Sequence, residues 1–499
     1  MVVVAAAMGT TFLANTYQTA NTAPNLIFEL VAAGVLTSVF VPTFVEHLVA
    51  GRRDEGWRAA DAMSSVGLVA LIALAGAVAL LADPIMRLLT LGVEDDALRA
   101  QEISLGARFL RLFAPQIVFY GLGMIMTAAL HAHRRFVLAA VAPIFNNVVV
   151  IGVYLVYAAA RSGREPTVEG ITDGEVLLLG LGTTAGVVAM TICLVPQLLR
   201  IGWRWRFTWE PRHPAVRRGA RLGVWALGYA GGYQAGLVVV LALANRIEGG
   251  VAAYQWAYTF FYLPHALFGV PIFSVLFTAM AEKAAAQDPG GVASRLKDGL
   301  GMLAFILLPV AGALFVLAEP ISIVVLDHGA MGRADAELVG RVLAMFALGL
   351  PSFSAFLVLT RAFYAVGNTK LPAIVNAIAV VLSSGLGAVL FLSLVKGWEV
   401  PGLAIGHTVG FSVAALVMAR SLGRRLGSLR DAAMATTVLR CGGAAIGASA
   451  LMWLGARASL SETALGLAAV GAGGGLVYLA ICAVFRVPEL SRLRNMVAR

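Results

Sequence analysis

Long apolar runs alternate with short polar breaks along the whole chain. Many runs reach about 20 residues, the length of helix that crosses the hydrocarbon core of a bilayer. Turn-forming residues such as Asp288-Pro289-Gly290-Gly291 separate them. The pattern predicts an all-α polytopic membrane protein of fourteen transmembrane helices, near 1–22, 26–48, 62–82, 104–130, 137–158, 176–199, 222–245, 252–281, 299–318, 336–360, 372–395, 401–420, 434–456 and 464–485.

A unit nearly half the chain long occurs twice. LADPI at 81–85 corresponds to LAEPI at 317–321, and SVFVPTFVE at 38–46 corresponds to SVLFTAMAE at 274–282, with an offset of 236 residues. Pro115 and Pro351 keep the same offset. A duplicated unit inside an apolar chain is typical of membrane transporters with two pseudo-symmetric lobes, which take substrate between the lobes.

Composition agrees with a membrane protein. Hydrophobic residues make up 60% of the 499 positions and charged residues 13%, and the mean hydropathy is +0.85, far outside the range of soluble globular proteins. The three cysteines, Cys193, Cys441 and Cys482, lie in apolar runs without the spacing of a metal site. We interpret them as small buried residues that form no disulfide and carry no redox chemistry.

The basic residues predict the orientation. With a cytoplasmic amino terminus, the inside loops hold 25 of the 37 Lys and Arg residues, the outside loops hold eight, and the spans hold four. This bias follows the positive-inside rule and places both termini in the cytoplasm. The net charge of +10 then indicates attraction to anionic lipid of the cytoplasmic leaflet. Without a nucleic-acid-binding motif, it does not indicate a nucleic-acid partner.

No enzyme signature is present. The sequence lacks a phosphate-cradling GxxxxGK[ST], an HExxH pair and a nucleophile elbow. We therefore expect a protein that is not an enzyme and holds no cofactor, with a coupling ion left open.

Four stretches resemble the MurJ (MviN) family of the MOP flippase superfamily. They are 19–46, 130–152, 179–207 and 317–372, and the most specific piece is RAFYAVGNTKLP at 361–372. The resemblance implies a flippase that moves lipid II, the undecaprenyl-linked peptidoglycan precursor, across the bacterial cytoplasmic membrane. The lipid-linked precursor and the bilayer would be its partners, with cell-wall synthesis enzymes as further candidates.

The same resemblance implies a domain organisation. An N-lobe of helices 1–6 would occupy 1–200, and a basic amphipathic linker would occupy 201–221. A C-lobe of helices 7–12 would occupy 222–430. Helices 13–14 and a basic cytoplasmic tail would occupy 431–499 and line a groove for the lipid tail. No charged residue precedes Glu29, so we expect either that the first helix is truncated at its start or that the first span is short.

The chain departs from the family pattern where the family carries arginines. The Ser-Arg and further Arg that open the family's first helix are absent here. Phe28 and Glu29 stand where the family has Arg-Arg, and Tyr258-Thr259 stand where it has Asp-Arg. Those arginines are the expected ligands of the pyrophosphate, so the anion-binding site does not transfer directly. We interpret the chain as a divergent branch.

Polar residues inside spans are the candidate substrate ligands, because their burial in lipid is costly and they usually face a cavity. The candidates are Gln18, Asn21, Asn25, Glu29, Arg108, Arg111, Gln234, Tyr258 and Thr259. Each has a plainer interpretation. Glu29 could snorkel to the outer surface, Gln234 could form an interhelical hydrogen bond, and Arg108 and Arg111 could anchor the outer edge of the membrane.

Basic residues end the fourth and tenth spans at equivalent repeat positions. Arg134, Arg135, Arg361 and Lys370 would form a cytoplasmic gate that binds phosphate at the entrance, or they would simply follow the positive-inside rule. Three functions follow from the whole pattern. The first is a lipid II flippase working by alternating access. The others are a cation-coupled exporter of drugs or polysaccharide lipids from the same superfamily, and a non-transporting scaffold that binds lipid.

Overall fold

The computed structural model is helical throughout its described part, with no strand in those residues. It describes residues 1–35, 53–133, 135–161, 163–203, 205–214, 216–217, 234–426, 432–458 and 460–491. The chain divides into two compact units, Met1–Val251 and Ala252–Arg499. The all-α fold predicted from the apolar runs is confirmed.

Unit 1 contains ten described helices: α1 (Val2–Met8), α2 (Phe12–Val35), α3 (Arg53–Leu80), α4 (Ala82–Leu89), α5 (Asp96–Phe113), α6 (Gln116–Ala132), α7 (Val137–Arg161), α8 (Asp173–Ile192), α9 (Val195–Arg200) and α10 (Gln234–Ala244). Helix α5 packs against α2, α3, α4 and α8, and α6 packs against α2, α3, α8 and α9, so these two helices join the described part of this bundle.

Unit 2 begins two residues into α11 (Gly250–Pro264). It continues through a π-helix (His265–Gly269), α12 (Val270–Ala285), α13 (Pro289–Leu326), α14 (Arg333–Ala347), α15 (Leu350–Ala365), α16 (Lys370–Ser393), α17 (Glu399–Leu426), α18 (Ala432–Arg457) and α19 (Ala464–Val484). The last two helices pack on α13 through a core that includes Phe305, Cys441, Tyr478 and Cys482.

The structure corrects the predicted boundary between the first two spans. We expected a turn between 22 and 26, but α2 runs without a break from Phe12 to Val35 and the turn lies at 9–11. Gly9 ends α1 with φ of 58°, a conformation that glycine adopts without strain. Thr11 then caps α2, because its hydroxyl accepts from the Ala14 N–H at 3.2 Å and donates to the Met8 carbonyl at 3.0 Å.

The two copies of the repeat break at corresponding prolines. In unit 1, α5 ends at Phe113 and Pro115 precedes α6. In unit 2, α14 and α15 meet at a bend of 48°, with Pro351 in the first turn of α15. Proline lacks the N–H that would continue the helical hydrogen bonds. The helices of the two repeat copies are therefore interrupted at equivalent positions, 236 residues apart.

The described part of the chain contains ten helices long and apolar enough to cross a membrane, and the bent pair makes an eleventh. The chain is therefore a multi-pass membrane protein. The other predicted spans, 1–22, 26–48 and 222–245, fall on α1, α2, α10 and residues outside the described ones. A total of fourteen is consistent with this structure, and the lobe boundaries stay a prediction.

Small residues bring the helices of unit 2 close together. A Cβ on Gly406 of α17 would lie 2.5 Å from the Gly387 nitrogen and from the Ser383 carbonyl oxygen of α16. One turn along α17, a Cβ on Gly410 would lie 2.7 Å from the Ala379 carbonyl oxygen. Only glycine permits this backbone approach, as expected where helices associate in lipid.

Candidate functional site

Three of the candidate ligands share one face of α2. Gln18, Asn21 and Asn25 are spaced by three and four residues, which places them above one another on a helix. All three side chains are partly exposed. Glu29 continues the spacing on the same helix, but its side chain lies outside the described residues. The structure thus places on one helix residues that the sequence analysis distributes over the first predicted span, the turn after it and the second span.

This face offers polar atoms that the helix itself does not use. The Oδ1 of Asn21 is buried and has no hydrogen-bond partner among the described residues. The Nδ2 of Asn25 donates to the Asn21 carbonyl at 3.2 Å. The described side chains of this face are therefore neutral amides rather than charges.

A network of side-chain hydrogen bonds fixes the start of α2. The Nδ2 of Asn15 donates to the Ile247 carbonyl at 2.9 Å, and its Oδ1 accepts from the Val251 N–H at 3.1 Å. Likewise, the Nδ2 of Asn245 donates to the Leu89 carbonyl at 2.9 Å and to the Thr19 hydroxyl at 3.2 Å. These buried bonds tie α2 to the turn before α11 and to the end of α4, so they set the direction of the amide face.

The turn before α11 requires a glycine. Gly249 has φ of 68°, and a Cβ there would lie 2.1 Å from the Cβ of Thr10. Both the conformation and the close approach exclude a larger residue.

Arg108 and Arg111 lie on a different side of α5 from α2. The α5 side chains that meet α2 are Phe109 and Phe113, whose rings pack edge-on against Tyr17 at centroid distances of 5.3 and 5.4 Å. Both arginines are exposed. Arg108 pairs with Asp173 at 2.5 Å, and Arg111 pairs with Asp83. The structure does not bring them to the amide face, and their role in binding substrate stays a prediction.

The remaining candidate ligands are distributed over both units. Gln234 is buried at the start of α10 in unit 1. In unit 2, the ring of Tyr258 packs against Phe346 and His407 at centroid distances of 5.6 and 5.9 Å. Next to it, Thr259 is exposed and its hydroxyl donates to the Gln255 carbonyl at 2.9 Å. That these residues share one cavity with α2 stays a prediction.

The basic residues of the expected cytoplasmic gate are exposed where the structure describes them. Arg135 follows α6, Arg361 lies one turn before the end of α15, and Lys370 begins α16. Arg134 lies outside the described residues. Exposure at helix ends suits either of the interpretations drawn from the sequence, so the gate also stays a prediction.

The extended segment that begins the expected linker lies against α3 within unit 1. The Nε1 of Trp203 donates to the Asp61 carboxylate at 3.0 Å, and the Thr208 N–H donates to the Ser65 hydroxyl at 2.9 Å. Trp205 and Trp209 are exposed. Exposed tryptophans beside arginines are typical of a segment at a membrane–water interface.

Comparison with known proteins decides the family. The family model described as "Lipid II flippase MurJ" matches residues 4–468. The chain belongs to the MurJ family. A "Probable lipid II flippase MurJ" of Rhizobium meliloti (strain 1021) is 30% identical over 509 residues, which cover 99% of this chain and 92% of the relative. Another from Rhizobium tropici is 31% identical over 428 residues, which cover 84% and 76%.

Solved structures agree on the fold of this MurJ family member. The structure named "Lipid II flippase MurJ, inward closed conformation" superposes with a TM-score of 0.79 at 19% identity, covering 97% of this chain and 95% of that one. A MATE family multidrug resistance transporter of the MOP superfamily superposes with a TM-score of 0.65 at 14% identity, covering 86% and 96%. At these identities the likeness concerns the fold alone.

One buried acid in unit 1 was missed in the sequence. Glu102 on α5 is completely buried, and neither carboxyl oxygen has a hydrogen-bond partner among the described residues. The signal was present, because Glu102 precedes Leu105, Phe109 and Phe113 at the spacing of a single buried helix face. The span predicted from the apolar run begins at 104 and therefore does not include Glu102.

Proposed function

We propose that this chain moves lipid II, the undecaprenyl-diphosphate-linked precursor of peptidoglycan, from the inner to the outer leaflet of the bacterial cytoplasmic membrane. The observation that carries the proposal is the match of the lipid II flippase family model to residues 4–468. The two rhizobial relatives, which carry the same name, support it. In this proposal the chain is a transporter without catalysis, and both termini face the cytoplasm.

The physical task explains why a protein is needed. A diphosphate with a sugar-peptide head cannot cross hydrocarbon unaided, because removing a single charge from water is prohibitive. A carrier that alternates between inward and outward access would shelter the head while the tail stays in lipid. Moving one elementary charge through 100 mV is worth about 2.3 kcal/mol, which is enough to bias a two-state carrier.

The amide face of α2 suits the uncharged part of such a head group. Amide side chains both donate and accept hydrogen bonds, and sugars and peptides present both kinds of partner. Gln18, Asn21 and Asn25, whose side chains are all partly exposed, would bind there. Arg108 and Arg111, which are exposed in this arrangement, would meet the diphosphate only after leaving Asp173 and Asp83.

Depletion of the protein tests the proposal in cells. We expect lipid II to remain on the cytoplasmic leaflet and growing cells to deform or lyse. The chain should also rescue a flippase-deficient strain. Gln18→Ala should weaken rescue at unchanged protein abundance, whereas Gln101→Ala, a half-buried glutamine bonded to Glu169, should leave it intact. Unchanged exposure of lipid II together with failed rescue would reject the flippase in favour of an exporter or a scaffold.

A further inference from the structure

Glu102 is a carboxyl group held inside a helix bundle without a partner. Its side chain is 0% exposed, and neither Oε1 nor Oε2 accepts a hydrogen bond from a described residue. Two other described acids of unit 1 are buried: Glu175 is bonded to two arginines and to a backbone N–H, and Asp61 accepts from the Trp203 Nε1–H. Within the described part of unit 1, burial alone therefore does not leave a carboxyl group without a partner.

Thr16 of α2 provides the neighbouring polar atom. Its hydroxyl lies beside the Glu102 carboxyl but donates its own hydrogen to the Phe12 carbonyl at 2.8 Å. A hydroxyl has only one hydrogen to donate, while its oxygen still accepts. Thr16 can therefore accept a hydrogen bond from protonated Glu102 while it keeps its bond to Phe12, whereas it can donate to the charged carboxylate only by giving that bond up.

The charged groups around α5 are engaged elsewhere. From α4, Asp83 pairs with Arg111, and Arg87 is exposed. From α8, Asp173 pairs with Arg108 and Glu175 with Arg161 and Arg164. From α3, Asp61 accepts from Trp203. On α2, the titratable group nearest in sequence to Thr16 is Tyr17, whose hydroxyl is hydrogen-bonded to the Thr183 hydroxyl at 2.5 Å.

Arg99, which precedes Glu102 by three residues on α5, forms no ion pair with it, and its buried Nε lacks a partner. No group of three or more His, Cys, Asp or Glu side chains in the described part of the chain is placed to hold a metal ion. A carboxylate taken from water without a counter-charge, and with at most one hydroxyl donor, is costly. In the arrangement of this structure Glu102 is therefore uncharged and holds a proton.

Loss of that proton would have a mechanical consequence. Glu102 lies where α5 packs on α2, beside Thr16 and on the same helix face as Phe109, which packs on Tyr17. The charged carboxylate needs water or donors, and the closed contact offers only the Thr16 hydroxyl, which would have to leave the Phe12 carbonyl. Deprotonation therefore favours an arrangement in which α2 and α5 separate. Because α2 carries Gln18, Asn21 and Asn25, its position and the proton on Glu102 are coupled.

We propose that Glu102 is the coupling carboxyl of unit 1, which takes up a proton when α2 and α5 close and releases it to water when they part. The step is a simple proton exchange, in which the O–H bond of the carboxylic acid breaks and a water molecule takes the proton. The inference rests on the proposed function, since it identifies the ion that would drive lipid II movement. It names Glu102 as the residue that carries that ion.

Infrared spectroscopy of the purified protein in lipid tests the proton directly. Wild type should show the carbonyl stretch of a buried carboxylic acid, and the band should disappear as the pH is raised. Glu102→Gln should lack the band, whereas Glu175→Gln, the matched change at a buried and paired acid, should retain it. Absence of the band in wild type, or its persistence at every pH at which the protein stays folded, would overturn the proposal.

Proteoliposomes that contain lipid II and carry an imposed pH gradient test the coupling. Lipid II movement should follow the gradient in wild type and Glu175→Gln but not in Glu102→Gln. Unchanged gradient dependence in Glu102→Gln, or dependence on sodium instead of protons, would refute the coupling role. If wild type moves no lipid II, the proposed function fails, and the infrared titration still decides whether Glu102 exchanges a proton.

If Glu102→Gln does not accumulate, Glu102→Asp replaces it, because the shorter side chain keeps the carboxyl group. The band should then shift in position, and an unmoved band would show that the signal belongs to another residue and overturn the assignment.

Discussion

Replacing Glu175 with alanine should remove the support of the loop between α7 and α8. Glu175 is 5% exposed, and its Oε2 and Oε1 pair with Arg161 at 3.4 Å and with Arg164 at 3.0 Å. Oε2 also accepts from the Thr172 N–H at 2.8 Å, while Thr172 caps α8 in return. One carboxylate therefore neutralises a buried arginine and completes a capping box.

The cost can be worked from these contacts. The Arg161 side chain is 4% exposed, and breaking a buried ion pair by removing one partner costs about 3–5 kcal/mol. Arg161 keeps its bonds to the Tyr157 hydroxyl and to the Arg164 and Glu165 carbonyls, which favours the lower end. Losing the cap acceptor adds about 1 kcal/mol. We expect a total of about 4 kcal/mol, and a smaller loss for Glu175→Gln, which keeps a neutral acceptor.

Thermal unfolding of the detergent-solubilised protein, followed by size-exclusion chromatography, measures the effect. Glu175→Ala should lower the unfolding midpoint by several degrees, with Glu175→Gln between it and wild type. Glu165→Ala is the control in the same loop, because its side chain is exposed and surface changes usually stay within about 0.5 kcal/mol. Equal midpoints for Glu175→Ala and Glu165→Ala would refute the buried-pair reasoning.

Three further predictions concern topology, packing and pH. In a variant without native cysteines, Glu165→Cys should react with an impermeant thiol reagent from outside and Pro214→Cys only after permeabilisation; reversed labelling would reject the orientation. Gly406→Val should reduce folded protein because its backbone approach leaves no room for a side chain, whereas Gly443→Val, with nothing within 4 Å, should lose much less. Asp288 caps α13, and the backbone N–H it accepts lowers its pKa; this stabilisation should be present at neutral pH and fade as the pH falls through that lowered pKa, and an identical acid profile for Asp288→Asn would contradict it.

Helix positions could be predicted because length and hydropathy alone define a span in lipid. The run at 434–456 and helix α18 (Ala432–Arg457) agree closely, as do the run at 464–485 and α19 (Ala464–Val484). The helix boundary at the start of the chain could not be predicted in this way, because it depends on local hydrogen bonds rather than on length and hydropathy. Gly9 and Thr11 end one helix and cap the next through hydrogen bonds, whereas Pro24, which resembles a break, is accommodated inside α2.

The candidate site could be predicted only in part for a related reason. A polar residue in an apolar run marks an exception, but its partner lies elsewhere in the sequence. The sequence could select Arg108 and Arg111 but not Asp173 and Asp83, which are 65 and 28 residues away. The spacing of Glu102 with Phe109 and Phe113 does indicate a buried helix face, but the sequence could not show that the carboxyl lacks a partner there, because partners come from other helices.

The ion pairs of Arg108 and Arg111 do not argue against a role with phosphate. Both pairs are well exposed, with side-chain exposures of 47% and 83% for Arg108 and Asp173 and of 45% and 44% for Arg111 and Asp83. Exposed pairs contribute only about 0–1 kcal/mol, whereas a guanidinium can bind a phosphate through two parallel hydrogen bonds. Exchanging an aspartate for a diphosphate would therefore cost little. What separates these arginines from the amide face is not their pairing but their position across α5, where Phe109 and Phe113 occupy the side that meets α2. A head group held by both regions at once would need α5 to move relative to α2, which is the same movement that would expose Glu102.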